Sequence, residues 1–262
     1  MTHLSVSATL LSMAPLLLAL LIFQWQLGHT RELAIAAVRM VLQLVGIGYL
    51  LNALFTSPAP LLGLCVLSVM LLAASWIALR PLQKKSVWRY VAALSSLAIA
   101  SVLHLVWIIF VVLQPAPWYQ PQQIIPLAGM VVANGMNSLS LGAERLEAQI
   151  DSNELPKACV SAFKAAMIPQ VNSLLAVGLV SLPGMMTGQI LAGMAPLEAV
   201  RYQILVMSMI AGNASLTLAL YFWQVKRNYM KQQSSKQQSS KQQSSKQQSS
   251  KQKPSTQQSA HK

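Results

Sequence analysis

The residues of this chain that could do chemistry are a few polar side chains set inside long apolar runs. Arg39 and Gln43 stand four residues apart, on one face of a predicted helix. Ionisable groups inside such runs normally face a bundle interior or a wet cavity. Arg39 is also about two turns from the helix end, close enough to anchor its head at the boundary, so both readings stay open. Asn134 and Ser138 share a face, with Asn137 beside them and Gly129 and Ala133 forming a small-xxx-small surface. That combination suits either a pathway lining or hydrogen-bonded packing between helices. His104 has no Asp, Glu, Cys or second His three or four residues away. It therefore reads as a packed, hydrogen-bonded histidine rather than a metal ligand. Eight of the thirteen methionines fall between residues 130 and 209. Thioethers suit soft metals but equally fill cores, and no metal-ligand set can be assigned.

Enzymatic chemistry is hard to assemble from these residues. No Ser stands in a Gly-flanked elbow and no acid lies deep in an apolar run, which argues against a hydrolase. There is no Walker A sequence, so no bound cofactor is expected, and any ATP used must sit on another chain.

The elements that must position these residues are membrane helices. Of 262 residues, 54% are hydrophobic and 10% charged, too few polar groups to cover a soluble core, so lipid must act as solvent. The net charge of +13 is largely a tail property, since nine Lys/Arg and no acid follow from Lys226 onward, leaving ten bases against six acids upstream. Nucleic acid is not implied. Seven apolar stretches are long enough to cross a bilayer: 8–27, 33–55, 60–79, 90–113, 124–143, 165–194 and 202–225. Only helices or closed barrels satisfy the backbone in lipid, and runs this long exclude barrel strands. The expected fold is an all-α, polytopic membrane helix bundle. The first 30 residues contain no Lys or Arg, unlike the n-region of a signal peptide, so the first stretch is expected to be retained. Cys65 and Cys159 lie in unlike settings, and no disulfide framework is expected.

Loop charges set an orientation. Arg31, the group Arg80, Lys84, Lys85 and Arg89, the group Arg145, Lys157 and Lys164, and the pair Lys226 and Arg227 alternate with two loops lacking charge, TSPAP and QPAPWYQPQQ, and with MAPLEAVR, where the single cation Arg201 stands beside Glu198. The N-terminus is thus expected outside and the C-terminus in the cytosol. Residues 1–228 form the transmembrane domain. Residues 229–262, with KQQSS four times over, form a low-complexity tail expected to be disordered.

Two segments between the spans bear on mechanism. Pro169 and the Pro183-Gly184 pair interrupt the sixth stretch, predicting a kink or a break into half-helices. Breaks at depth are tolerated only inside protein or beside water, which marks hinges and transport sites. Gly184 and Gly188 form a GxxxG spacing, a candidate close-packing face. Between spans five and six, Leu146 and Ile150 continue an apolar stripe until Asp151, Ser152, Asn153 and Pro156 force a turn. The hairpin tip would present Ile150 and Leu155 beside Glu147, Asp151 and Glu154, an apolar knob with an acidic rim. It suits a groove on a partner, or is a solvated turn.

The stretch VGLVSLPGMMTGQILAGMAPLEAVRYQI (177–204), AGM...ANGMN (128–137), AAMIPQVNS (165–173) and the Arg39/Gln43 pair together resemble the permease subunits of Fet-type iron-export ABC transporters, whose plant relatives are aluminium-tolerance half-transporters. The resemblance covers spans two to seven. It implies a homodimeric permease in the bacterial inner membrane, working with a separate cytosolic ATPase and exporting metal ions such as iron. On it, Arg39, Gln43, Asn134, Asn137, Asn172, Met185 and Met186 are candidate pathway residues. Pro169, Pro183, Gly184 and Gly188 are candidate hinge and packing positions, and Leu146, Glu147, Ile150, Asp151, Glu154 and Leu155 a candidate ATPase-coupling element. Residues 145–164 are shorter than the corresponding family loop and lack its Leu-Gly-Ala element. A stand-alone gradient-driven transporter or channel is the alternative, and a non-transporting scaffold a third reading. Glu32, Glu144, Glu147, Asp151, Glu154 and Glu198 all lie outside the depths of the spans, which favours an external energy source.

Overall fold

The computed structural model describes residues 5–28, 30–56, 59–150 and 155–251. The chain divides into two compact units, 1–62 and 63–262. The first holds α1 (Val6–Leu11), α2 (Ala14–Leu27) and α3 (Arg31–Thr56), and the first turn of α4 (Pro60–Ala78). Pro15 opens α2, where a missing N–H costs nothing, and Gly28 ends it in the left-handed conformation with φ of 70°. Nearly the whole surface of α2 and α3 is exposed.

The second unit contains the rest of α4, then α5 (Val87–Trp107), α6 (Pro121–Gln149), α7 (Leu155–Ala176), α8 (Gly184–Leu191) and α9 (Pro196–Lys251). Ser86 caps α5 by accepting from the Arg89 amide, and α5 continues as π-helix over Ile108–Leu113. Contacts between helices give the directions: α5 runs antiparallel to α6 and to α9, α6 lies parallel to α9, and α7 returns antiparallel to α6. The start of α5, the ends of α6 and the apolar part of α9, and the start of α7 therefore share one end of the unit. That end carries the basic loop residues that the charge pattern assigns to one side.

Among the described residues six helical segments are long and apolar enough to cross a membrane: Ser7–Leu27, Arg31–Thr56, Pro60–Ala78, Val87–Leu113, Pro121–Gln149 and Pro196–Gln232. The chain is a multi-pass membrane protein. The sixth expected span, 165–194, is not one continuous crossing: it is divided between α7, a turn and α8. The turn begins where Gly178 takes φ of +84°, and the amides of Leu179, Val180 and Ser181 crowd onto the Ala176 carbonyl. Pro183 follows as the residue that starts α8. Pro169 lies inside α7 and does not end it.

Small residues bring α5, α6, α7 and α9 together, because in lipid packing and hydrogen bonds, rather than water exclusion, hold helices. A Cβ on Gly135 would lie 2.5 Å from Asn213 Nδ2 and 2.7 Å from Leu97 Cδ1, and one on Gly142 would lie 2.5 Å from Leu218 Cδ2. Ala92, Ala93, Ala158, Ala162 and Ala166 are fully buried in the adjoining core. A Cβ on Gly184 or Gly188 meets nothing within 4 Å among the described residues. The close helix approaches fall at Gly135, Gly142 and Gly212 instead.

Over the KQQSS repeats α9 runs on to Lys251, where the sequence suggests an unfolded tail. Buried side chains in α9 end at Tyr221 and Phe222, and those described at Lys231, Gln232, Ser234 and Ser235 are exposed.

Candidate functional site

The centre of the second unit holds two polar clusters. In one, α6 supplies Asn134 and Ser138, one helical turn apart, and α7 supplies Gln170 directly after Pro169. Gln170, only 6% exposed, donates through Nε2 to Asn134 Oδ1 at 3.4 Å and to Ser138 Oγ at 3.5 Å. Asn134 donates in turn to the Met130 carbonyl at 2.9 Å, which fixes its oxygen toward α7. Ser215 Oγ of α9 lies 3.7 Å from Met167 Sδ. The result is a set of amide and hydroxyl groups at a helix contact, neutral but able to offer oxygen to a cation.

In the other cluster Asn213, fully buried on α9, donates to the Val131 carbonyl of α6 at 2.9 Å and accepts from Ser101 of α5 at 3.4 Å. Further along, Gln224 of α9 donates to Ser96 at 2.9 Å and Ser95 at 3.1 Å on α5. These bonds tie three helices through buried polar groups, which hydrocarbon would otherwise leave unsatisfied. His104 has Nδ1 2.8 Å from the Ala100 carbonyl, so Nδ1 carries the proton, and Nε2 packs against Gly212. The packed reading of this histidine holds. Among the described residues no group of three or more His, Cys, Asp or Glu could hold a metal ion.

The other expected pathway residues are scattered. Asn137 and Asn172 are exposed, and so are Arg39 and Gln43 on α3 in the first unit. Met186 is half-buried, and Met185 packs on the apolar cluster around Leu127 and Val206.

At the basic end, Glu147 on the last turn of α6 accepts from Arg89 Nη1 at 2.6 Å and from the backbone amides of Gln83 at 2.8 Å and Lys84 at 3.2 Å. One carboxylate thus fastens the loop between α4 and α5 to α6. The expected hairpin forms, with α6 ending at Gln149 and α7 starting at Leu155, but its apolar stripe turns inward. Leu146 is 4% exposed in the core and Leu155 packs against the same cluster, so of the two residues expected at the exposed tip, Ile150 and Leu155, Leu155 faces the core. Ile150 is half-buried, and Asp151 and Glu154 lie outside the described residues.

A family model described as "Uncharacterised protein family (UPF0014)" matches residues 4–157 and 155–230. The chain belongs to the UPF0014 family. The UPF0014 membrane protein slr1647 of Synechocystis sp. is 37% identical over 231 residues, covering 82% of this chain and 89% of the relative. The "Probable iron export permease protein FetB" of Escherichia coli is 30% identical over 236 residues, 82% and 90% of the two chains. Protein ALUMINUM SENSITIVE 3 of Arabidopsis thaliana is 31% identical over 218 residues, 77% and 78% of the two chains. No solved structure matches. The UPF0014 helices thus include polar contacts that the sequence alone does not single out, at Gln170, Asn213 and Gln224. A polar residue in an apolar run was the available signal for each, without any indication of its partner.

Proposed function

We propose that the chain is the membrane permease subunit of an ABC-type transporter that exports metal ions such as iron, with ATP hydrolysed on a separate cytosolic chain. The observation that carries this reading is the similarity to the iron export permease, extending over nine-tenths of that relative. Two permeases with two ATPases form the working unit, in the bacterial inner membrane, with the N-terminus outside and the basic loops in the cytosol. A Gln120→Cys variant lacking Cys65 and Cys159 is then labelled by an impermeant thiol reagent in intact cells, and a Lys84→Cys variant is not; the opposite pattern reverses the orientation.

A permease needs a polar contact that can open and a helix that can move. The Asn134, Ser138 and Gln170 cluster supplies the first, since its bonds of 3.4 and 3.5 Å are long and exchangeable for a passing cation. The break at 177–183 supplies the second. Coupling runs through α6, which carries Asn134 near its middle and Glu147 at its basic end, so a push on that end reaches the polar cluster along one helix. Ile150, half-buried just past the end of α6, is the described residue offered to the ATPase.

The inward turn of Leu146 and Leu155 favours a second reading, a gradient-driven transporter or channel without an ATPase. Affinity purification of the full chain from gentle detergent separates the two. An ATPase chain is expected to accompany the wild type and to be lost on Ile150→Asp at equal membrane abundance. Purification of the chain alone from cells that transport normally overturns the proposal.

A further inference from the structure

Between the end of α4 and the start of α5 lies a cleft of about 310 Å³ that neither polar cluster uses. Its walls include Trp76, Arg80, Lys85, Ser86, Val87 and Tyr90. Two cations and the first turn of a 21-residue helix face one space, and no carboxylate lines it among the described residues. The acid that fastens this loop, Glu147, is engaged instead by Arg89 and the amides of Gln83 and Lys84.

We propose that this cleft binds the phosphate headgroup of an anionic glycerophospholipid. Charge alone would suit any phosphate, and the rest of the wall decides for lipid. The cleft lies at the ends of two spans, the level at which headgroups lie. Trp76 is 59% exposed and Tyr90 is held by its hydroxyl donating to the Leu72 carbonyl at 3.2 Å, a pair of amphipathic rings of the kind found at that level. Below them Val69 and Leu72 on α4, with Val91 on α5, are exposed apolar side chains along which acyl chains can lie. A free phosphate would have no use for that surface. Lys85 and Arg80 both line the cleft and place positive charge beside the phosphodiester. Bound there, the lipid steadies the loop that Glu147 ties to α6.

Native mass spectrometry of the full chain in detergent, with phosphatidylglycerol or phosphatidylcholine of equal acyl length as probe, tests this. Wild type is expected to retain phosphatidylglycerol preferentially, and Lys85→Gln to lose about fivefold of that preference, the effect of one cation near a lipid surface. Ser86→Asp, which keeps a good helix cap while adding a negative charge, is expected to lose at least as much, and serves if Lys85→Gln does not fold. Lys231→Gln, an exposed cation on the far part of α9, is the control and should change nothing. Equal retention by wild type and both variants overturns the proposal, as does equal retention of the two lipids. Displacement of the lipid by millimolar inorganic phosphate overturns it in favour of a soluble anion. If the variants keep the lipid but lose a co-purifying ATPase, the cleft belongs to a protein partner and the proposal also fails.

Discussion

Gln170 of α7 donates to Asn134 of α6 across 3.4 Å, joining two helices at a point one residue beyond Pro169. The amide of Gln170 is buried, yet both bonds to its Nε2 are at the long limit. A contact of this kind holds the helices without locking them.

Replacing Gln170 by Leu is expected to cost about 0.6–1.7 kcal/mol of stability, the range for polar contacts between membrane helices. If the cluster lines the pathway, transport at equal membrane abundance falls about tenfold or more, well beyond what that stability change explains. Thermal unfolding in detergent and metal efflux from cells are the paired measurements. Normal transport in a destabilised variant would reduce the cluster to packing.

Glycine substitutions should divide by position. Gly135→Ala brings a methyl carbon against Asn213 Nδ2 at 2.5 Å and Leu97 Cδ1 at 2.7 Å, an overpacking expected to cost about 1–3 kcal/mol. Gly184→Ala and Gly188→Ala meet nothing within 4 Å and should leave the melting temperature of the detergent-solubilised chain unchanged. Equal losses at all three positions would contradict this packing.

How much of this was legible in the sequence follows from the range of each interaction. The apolar runs at 60–79, 90–113, 124–143 and 202–225 coincide with helices, although α7 begins before its run and α9 continues past its own, and the break in the sixth run falls just before Pro183, because backbone preferences are local. The GxxxG spacing at Gly184 defines a face and says nothing of what covers it. Asn213 and Gln224 bond to residues 82 to 132 positions away, so nothing nearby in the chain marks them. Leu146 shows the same limit. Its periodic stripe is visible, but whether the stripe faces a partner or the protein's own α7 and α9 depends on distant residues.

Removing the charge of Glu147 should release the loop between α4 and α5. Glu147→Gln loses the ion pair with Arg89 and weakens two backbone bonds, an expected cost of about 1–3 kcal/mol. Combining it with Arg89→Gln should cost less than the sum of the two, since both remove one interaction. Additive losses in a thermal-shift double-mutant cycle would show that the clasp is not formed.

In the transporter proposed above, metal export through this chain is driven by ATP hydrolysed on another chain. Inside-out membrane vesicles containing the full chain, with and without the co-purified ATPase, measure it directly through iron uptake on addition of ATP. ATP-dependent uptake is expected only when both chains are present, abolished in the Ile150→Asp variant and indifferent to collapse of the proton gradient. Uptake by vesicles lacking any ATPase, driven by the gradient alone, would contradict it.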